Sequence, residues 1–100
     1  MKNIILMCAG GMSTSMLMKN IQKAADAEGF ACTVSAHPVA KAVDLASSAD
    51  VFLLGPQVGY QADDVRAKCP DVPVAVIDMS VYGMMDGKKA LEIAKQAMGV

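Results

Sequence analysis

The sequence predicts an α/β fold, a three-layer sandwich in which a four-stranded parallel sheet lies between helices on both faces. Two observations predict this class. Four short apolar runs, separated by Gly, Pro and polar residues, have the length of buried strands. Segments with the apolar spacing of helices lie between and after them, which gives the order β-α-β-α-β-α-β-α. Strands that are joined by helical crossovers run parallel.

The first strand and helix are predicted from the start of the chain. The run NIILMC at 3–8 is continuously apolar, which is typical of a strand that is buried on both faces. After a turn of small residues, Ser13 or Thr14 can cap a helix. Apolar residues then recur at intervals of three and four positions as far as about Glu28, and Gly29 ends the helix.

The later elements are predicted from similar signals. β-branched and aromatic residues favour strands, proline and glycine end elements, and Asp86 is a good helix cap. The predicted strands are 30–37, ended by Pro38, then 50–55 and 72–78, and the predicted helices are 39–47, 62–69 and 86–99. In such sheets, ligands bind beyond the carboxyl ends of the strands, where the strand order reverses. The first strand normally borders that point, and Cys8 is its last residue.

Size and composition limit the function. One hundred residues suit a single domain, 1–100, and 54% apolar residues allow a real core. The net charge is −1 and no basic run is present, so we expect no nucleic acid partner. The apolar runs are far shorter than the ~20 residues that span a bilayer, and the start does not resemble a secretory signal. We therefore expect a cytoplasmic protein without direct membrane insertion.

The cysteines indicate neither a disulfide framework nor a metal site. Cys8, Cys32 and Cys69 are odd in number and widely spaced, which argues against paired cysteines. The chain has no C-x-x-C motif and a single histidine, His37, so a structural zinc site is not expected. We expect no metal and no cofactor. Cys32 and Cys69 are interpreted as structural residues, and His37 as a residue of a surface turn.

The segment CAGGMSTS at 8–15 carries the strongest functional signal. Small residues after Cys8 let backbone N–H groups turn around an anion, and the following helix points its free N–H groups at the same place. The candidate phosphate-binding residues are Ala9, Gly10, Gly11, Met12, Ser13, Thr14 and Ser15. A helix start also favours the thiolate form of a nearby cysteine, and a thiolate is a nucleophile. The alternative is that Cys8 is an inert, buried residue at the end of a strand.

The loop differs from other phosphate-binding loops in an informative way. It has neither the Gly-Lys-Ser/Thr ending of a Walker motif nor a G-x-G-x-x-G pattern. It resembles the Cys-x5-Arg-Ser/Thr loop of low-molecular-weight tyrosine phosphatases, but Thr14 stands at the arginine position. An arginine stabilises the charge of the transferring phosphoryl group, and a hydrolase also needs a carboxylic acid, for which Asp78 is the best placed residue. The loop therefore suits holding a phosphoryl group better than hydrolysing it.

Three segments together resemble one family, enzyme IIB of the sugar phosphotransferase system, lactose/cellobiose type. The segments are IILMCAGGMSTSMLM at 4–18, ADVFLLGPQVGY at 49–60 and VAVIDMSVYGMMDGKKAL at 74–91. The resemblance implies the sheet order 2-1-3-4, which periodicity alone does not fix. Related chains often carry Ser-Ala after the cysteine, whereas this chain has Ala9-Gly10, which leaves more of the phosphate binding to backbone N–H groups.

The resemblance also implies a mechanism and partners. A phosphorylated histidine of enzyme IIA would donate its phosphoryl group to Cys8, and the phosphocysteine would pass it to a sugar that the membrane component IIC holds. The protein would then be a phosphotransferase that docks at the inner face of the membrane. Since it must separate quickly from both partners, we expect transient interfaces and a monomer. A phosphatase or arsenate-reductase-like enzyme and a non-catalytic regulatory domain remain the alternatives.

Two further residues are candidates for contacts at the rim of the site. Gln57 and Tyr82 follow the third and fourth apolar runs, so both could reach the phosphoryl group or a partner. Several methionines also lie near this edge, and some of them could form an adaptable apolar docking surface.

Overall fold

Four parallel strands form one sheet in the order β2-β1-β3-β4 in the computed structural model, which describes residues 1–8 and 14–100. The strands are β1 (Lys2–Cys8), β2 (Cys32–Pro38), β3 (Val51–Leu54) and β4 (Val74–Val76). The order and the parallel direction confirm the predicted sheet. β1 and β3 are the central strands, and every residue of β3 is buried, which agrees with its uninterrupted apolar sequence.

Helices connect these strands and cover both faces of the sheet. They are α1 (Thr14–Glu28), α2 (Ala42–Leu45), α3 (Ala62–Lys68), α4 (Met79–Gly83) and α5 (Gly87–Met98), with 3₁₀ turns at Val39–Lys41 and Pro56–Gln61. Gly29 follows α1 with a φ of 72°, a left-handed conformation that ends a helix and that glycine adopts without steric cost. Asp86 caps α5 as predicted, since its carboxylate accepts a hydrogen bond of 3.1 Å from the backbone N–H of Lys89.

Alternating residues of the strands build two separate cores. Ile4 and Leu6 of β1 pack in one cluster, which contains buried residues of α1, α4 and α5. Ile5 and Met7 point to the opposite face and pack in a second cluster, with buried residues of α2 and α3. This arrangement gives the three layers that the sequence predicts.

The register of the sheet brings the carboxyl ends of three strands to one edge. Cys8 pairs with Pro38, and Met7 pairs with both His37 and Leu54. Residues 9–13 lead from this edge into α1, so the end of β1 and the start of α1 bracket the segment in which the sequence predicts a phosphate loop.

Several predicted element bounds were wrong. The second strand begins at Cys32 instead of residue 30. Phe30 lies just beyond the end of α1, and its backbone N–H donates to the carbonyl of Ala25 within that helix. Pro38 is included in β2 as its last residue, whereas the predicted strand stopped before it. An edge strand such as β2 can include a proline, because the missing N–H leaves no partner unsatisfied. The predicted helix 39–47 begins as a 3₁₀ turn, and β4 is three residues long instead of seven.

One helix was missed altogether. No helix was predicted between the fourth strand and residue 86, but Met79–Gly83 form α4. No helix in the described part of the chain is both long and apolar enough to cross a membrane.

Candidate active site at the carboxyl edge of the sheet

Cys8 ends β1 at the edge where the strand order reverses. In the order 2-1-3-4, the chain leaves β1 toward β2 and later returns on the other side to β3, so the crevice of this fold lies between β1 and β3. The side chain of Cys8 is 9% exposed and belongs to neither core cluster. Its Sγ lies 4.0 Å from the carbonyl oxygen of His37, at the outer limit of a weak S–H···O contact.

A surface pocket of about 270 Å³ opens beside this cysteine. Its described lining consists of Cys8, Pro38, Val39, Ala40 and Gln61. The pocket therefore lies between the end of β1, the turn after β2 and the end of the turn after β3. Cys8 therefore lines an open pocket although its side chain is mostly buried, and its role as a nucleophile stays a prediction.

Most of the predicted phosphate loop lies outside the described residues, and this concerns Ala9, Gly10, Gly11, Met12 and Ser13. The described chain resumes at Thr14, the first residue of α1, and Ser15 in its first turn is exposed. The first turn of α1 carries no acidic side chain. The positive end of the helix dipole is therefore not neutralised by its own first turn, which favours an anion at this edge.

Gly55 brings the two predicted rim residues together near the end of β1. Its N–H donates a hydrogen bond of 3.0 Å to the carbonyl of Met7. A Cβ at this glycine would lie 3.0 Å from Oε1 of Gln57 and 3.5 Å from Cε2 of Tyr82. The end of the Gln57 side chain and the edge of the Tyr82 ring therefore both lie close to Gly55.

The two rim candidates differ in exposure. Gln57 is exposed, whereas Tyr82 is only 8% exposed and packs within the core cluster on the α1 and α5 side of the sheet. Tyr82 therefore lies beneath the surface beside Gly55, whereas Gln57 lies at the surface. A contact of either side chain with a phosphoryl group stays a prediction.

Asp78 is a helix cap in this structure. Its carboxylate accepts hydrogen bonds from the backbone N–H of Val81 at 2.9 Å and from the hydroxyl of Ser80 at 2.7 Å. These two bonds, the backbone one first, hold the pKa of the Asp78 carboxyl below its usual range. An ionised carboxylate cannot protonate a leaving group. Asp78, which the sequence indicates as the best placed carboxylic acid, is therefore poorly suited to act as a general acid.

The remaining cysteines and the histidine do not form a second reactive centre. Cys32 and Cys69 are buried in the two core clusters, which agrees with their interpretation as structural residues. Burial, followed by the charges of Asp26 and Glu28, raises the pKa of the Cys32 thiol and disfavours its thiolate. His37 lies within β2 instead of in a surface turn. Among residues 1–8 and 14–100, no three His, Cys, Asp or Glu side chains are grouped as a metal site would require.

Sequence reasoning missed part of the pocket lining, namely Pro38, Val39, Ala40 and Gln61 as neighbours of Cys8. The signal that could have found the first three was the implied sheet order. Since β2 lies beside β1, the residues that follow β2 must border the cysteine that ends β1.

The fold is that of a doubly wound α/β protein, and Cys8 lies at the edge of the sheet where such folds bind ligands. Comparison with known proteins identifies the particular family. The family model for the PTS system, Lactose/Cellobiose specific IIB subunit, matches residues 3–93. The chain belongs to this family and is a IIB component of a sugar phosphotransferase system, as the sequence predicted.

Curated relatives align along nearly their whole length. The chain is 38% identical over 100 residues to the PTS system oligo-beta-mannoside-specific EIIB component of Bacillus subtilis (strain 168), covering 98% of this chain and 97% of that protein. It is 40% identical over 104 residues to the PTS system galactose-specific EIIB component of Lactococcus lactis subsp. cremoris (strain MG1363), covering 97% and 96% of the two chains. The relatives thus name different sugars at similar identity.

Solved structures confirm the fold class. The lactose-specific IIB component domain from Streptococcus pneumoniae superposes with a TM-score of 0.85 at 16% identity, covering 96% of each chain. The cellobiose-specific phosphotransferase IIB component from Borrelia burgdorferi has a TM-score of 0.81 at 33% identity, with 98% of this chain and 92% of that one covered. A mutant of YwlE from Bacillus subtilis shares the fold more distantly, with a TM-score of 0.52 at 18% identity, covering 98% and 94%.

Proposed function

We propose that the protein is a phosphocarrier: Cys8 accepts a phosphoryl group from a phosphohistidine of enzyme IIA and passes it to a sugar bound by the membrane enzyme IIC. IIB components are phosphotransferases that work with IIA and IIC partners in general. The observation that carries the assignment to Cys8 is its position at the carboxyl end of the central strand β1, beside an open pocket and next to the start of α1.

The first transfer exchanges one bond to phosphorus for another. The sulfur of Cys8 attacks the phosphorus atom, the phosphorus–nitrogen bond breaks, and its electron pair stays on the imidazole nitrogen. The proton that the thiol gives up ends on that imidazole, so charge and atoms balance. In the second transfer, a sugar hydroxyl oxygen attacks the same phosphorus, and the phosphorus–sulfur bond breaks with its electron pair on sulfur. The hydroxyl proton ends on the released thiolate, which regenerates the Cys8 thiol.

The proposed phosphate loop is the segment from Ala9 to Ser15. Its backbone N–H groups and hydroxyls would bind the phosphoryl oxygens, with support from the dipole of α1. Thr14 replaces the arginine of a phosphatase loop, and Asp78 is bound as a helix cap with a lowered pKa. Both features favour a lasting phosphocysteine over hydrolysis, which is what a carrier requires.

The remaining parts of the proposal concern setting and assembly. We propose that residues 1–100 form one IIB domain that acts as a cytoplasmic monomer and docks at the inner face of the membrane when it meets IIC. Gln57 and Tyr82 are proposed to border the region that the partners cover, with no cofactor or metal involved.

Intact-protein mass spectrometry after incubation with phosphorylated IIA tests the proposal. We expect the wild-type chain to gain the mass of one phosphoryl group, and Cys8→Ser to gain none. Cys32→Ser and Cys69→Ser are matched controls, because both thiols are buried in the core clusters and should not react. Each control should carry the modification on the Cys8 peptide.

Three results would contradict the carrier function. A phosphoryl group on Cys8→Ser as abundant as on the wild type would assign the reaction to another residue. Failure of the folded wild type to accept the group from a IIA that is active with another IIB would favour a non-catalytic domain. Sustained turnover of p-nitrophenyl phosphate would favour a phosphatase.

A further inference from the structure

We propose that the side-chain amide of Gln61 donates a hydrogen bond to the phosphoryl group that Cys8 carries. This inference rests on the proposed carrier function and adds a residue that lies outside the predicted phosphate loop. Gln61 would contact the transferred group directly.

The chemistry of the pocket lining points to Gln61. Pro38, Val39 and Ala40 present apolar side chains, so Gln61 brings the one side-chain amide among the described residues that line the pocket with Cys8. A phosphoryl group has oxygens that accept several hydrogen bonds, and a donor in a pocket is worth more to an anion than one in water. A primary amide is a hydrogen-bond donor of this kind, and it is uncharged, so it does not repel the Cys8 thiolate.

The Gln61 side chain is not committed to the fold. The residue is half-buried at the N-cap position of α3, but its side chain makes no capping hydrogen bond. Its Nε2 donates to the hydroxyl of Tyr60 at 3.1 Å, and Tyr60 is 83% exposed. A primary amide has two N–H donors, so one can remain on Tyr60 while the other serves the phosphoryl group. If the bond to Tyr60 breaks, water replaces it at the exposed hydroxyl at little cost.

The other glutamine of the same 3₁₀ turn is placed differently. Oε1 of Gln57 would lie 3.0 Å from a Cβ at Gly55, which shows that its amide folds back over that glycine toward Tyr82. Gln57 is not among the described residues that line the Cys8 pocket. Of the two glutamines on this turn, Gln61 is therefore the one that lines the pocket.

Replacement of the amide tests the proposal through the transfer kinetics. Gln61→Met keeps the length of the side chain but removes both N–H donors, and loss of a hydrogen bond to a charged group should lower kcat for transfer from phosphorylated IIA about tenfold. KM for IIA should not change. Gln61→Glu should lower kcat further, since its carboxylate repels the phosphoryl oxygens. Gln96→Met, on the exposed surface of α5, is the matched control and should transfer at the wild-type rate.

Nuclear magnetic resonance of the wild-type protein provides a readout that does not depend on any variant folding. On phosphorylation of Cys8, a Gln61 side-chain amide proton should move downfield, and the phosphorus resonance should differ between wild type and Gln61→Met. Unchanged Gln61 amide resonances in the phosphorylated wild type would overturn the inference. So would a Gln61→Met variant with an altered KM alone, since that would place the amide at the protein partner. If Cys8 of the wild type takes up no phosphoryl group at all, the carrier function itself fails.

Discussion

Asp78 connects the end of the sheet to the helix that carries Tyr82. Its side chain accepts from the N–H of Val81, and its backbone carbonyl accepts from the N–H of Tyr82 at 3.0 Å. One residue therefore closes the first turn of α4 from both its side chain and its backbone. Because Tyr82 lies beside Gly55, whose N–H bonds to the carbonyl of Met7, this cap helps to place Tyr82 near the end of β1.

Substitution of Asp78 should separate a capping role from an acid role. Asp78→Asn retains an acceptor for the N–H of Val81, so we expect nearly wild-type phosphoryl transfer and only a small loss of thermal stability. Asp78→Ala removes the acceptor and should lower the melting temperature more. A residue that acts as a general acid would show another pattern, in which Asp78→Asn loses transfer as completely as Cys8→Ser does.

The same residue should give the stability a defined pH dependence. The pKa of Asp78 is lower in the folded protein than in the unfolded chain, where an aspartate titrates near ~3.9. The stabilising contribution of its charge is therefore fully present above that unfolded value and is lost as pH falls through the lower, folded one. Thermal melts from pH 7 down to pH 2 should show the wild type and Asp78→Asn converging at the acid end. A constant difference across this range would contradict the assignment.

The position of Cys8 in the fold could be predicted from the sequence, whereas the position of Gln61 could not. Cys8 is the last residue of a continuous apolar run, so its place at a strand end follows from local pattern alone. Gln61 lines the same pocket as Cys8 only because of the path of the turn after β3, and no local pattern encodes that placement. Asp78 was noticed as a strand-end carboxylate, but its hydrogen bonds depend on α4, which was not predicted.

Helices α1 and α5 approach each other closely at Gly87. A Cβ at this position would overlap the backbone carbonyl of Asn20 and would lie 2.7 Å from the N of Ile21. Nearby, the side-chain amide of Asn20 donates to the carbonyl of Met85 at 2.8 Å and ties α1 to the turn before α5. The contact is between backbones, so no side-chain rotation can relieve an added methyl group.

Gly87→Ala should therefore be destabilising even though alanine is the better helix former. Forcing the two helices apart should cost about 1–3 kcal/mol, against a gain in helix propensity of up to about 1 kcal/mol. Urea unfolding, followed by circular dichroism, measures the net change in the free energy of unfolding. Gly83→Ala in α4 is the control, since a Cβ there meets nothing within 4 Å and φ is not positive. That variant should be as stable as the wild type or slightly more stable. A Gly87→Ala variant that also gains stability would contradict the close contact.

The long elements were predictable from the sequence and the short ones were not. α1 and α5 extend over enough turns for apolar periodicity to show, and Gly29 and Asp86 mark two of their ends. α4 has five residues, which is little more than one turn and too short for a periodic signal. The start of α4 depends on the capping bonds of Asp78. Only Val74–Val76 pair with β3, so β4 is shorter than the apolar run that predicted it.

For the molecule as a whole, alternation of strands and helices determined the class and the parallel direction but not the order of the strands. Several orders satisfy right-handed crossovers, and the choice depends on which edges pair in three dimensions. The order 2-1-3-4 came from the family resemblance and is confirmed by the sheet. That order places Cys8 between the turns after β2 and β3, so the site depends on a property that periodicity cannot supply.

The three-layer arrangement predicts how mutations on the two sides of the sheet combine. Leu91 of α5 is buried in one core cluster and Val65 of α3 in the other, with the sheet between them. Leu91→Ala should lower the free energy of unfolding by about 2–5 kcal/mol, and Val65→Ala by about 1.5–3 kcal/mol. Because the two sites share no cluster, the losses in the double variant should add to within about 0.5 kcal/mol.

A pair within one layer provides the comparison. Ile21 of α1 lies in the same cluster as Leu91, so the cavities left by Ile21→Ala and Leu91→Ala can merge or collapse together. Their losses should depart from additivity by about 0.5–3 kcal/mol in a double-mutant cycle. Urea unfolding of the singles and doubles gives both coupling energies. Coupling across the sheet as large as coupling within the layer would mean that the sheet transmits packing changes from one core to the other. A packing change in the layer of α1 and α5 would then also reach the α2 and α3 side, where Gln61 lies at the N-cap position of α3.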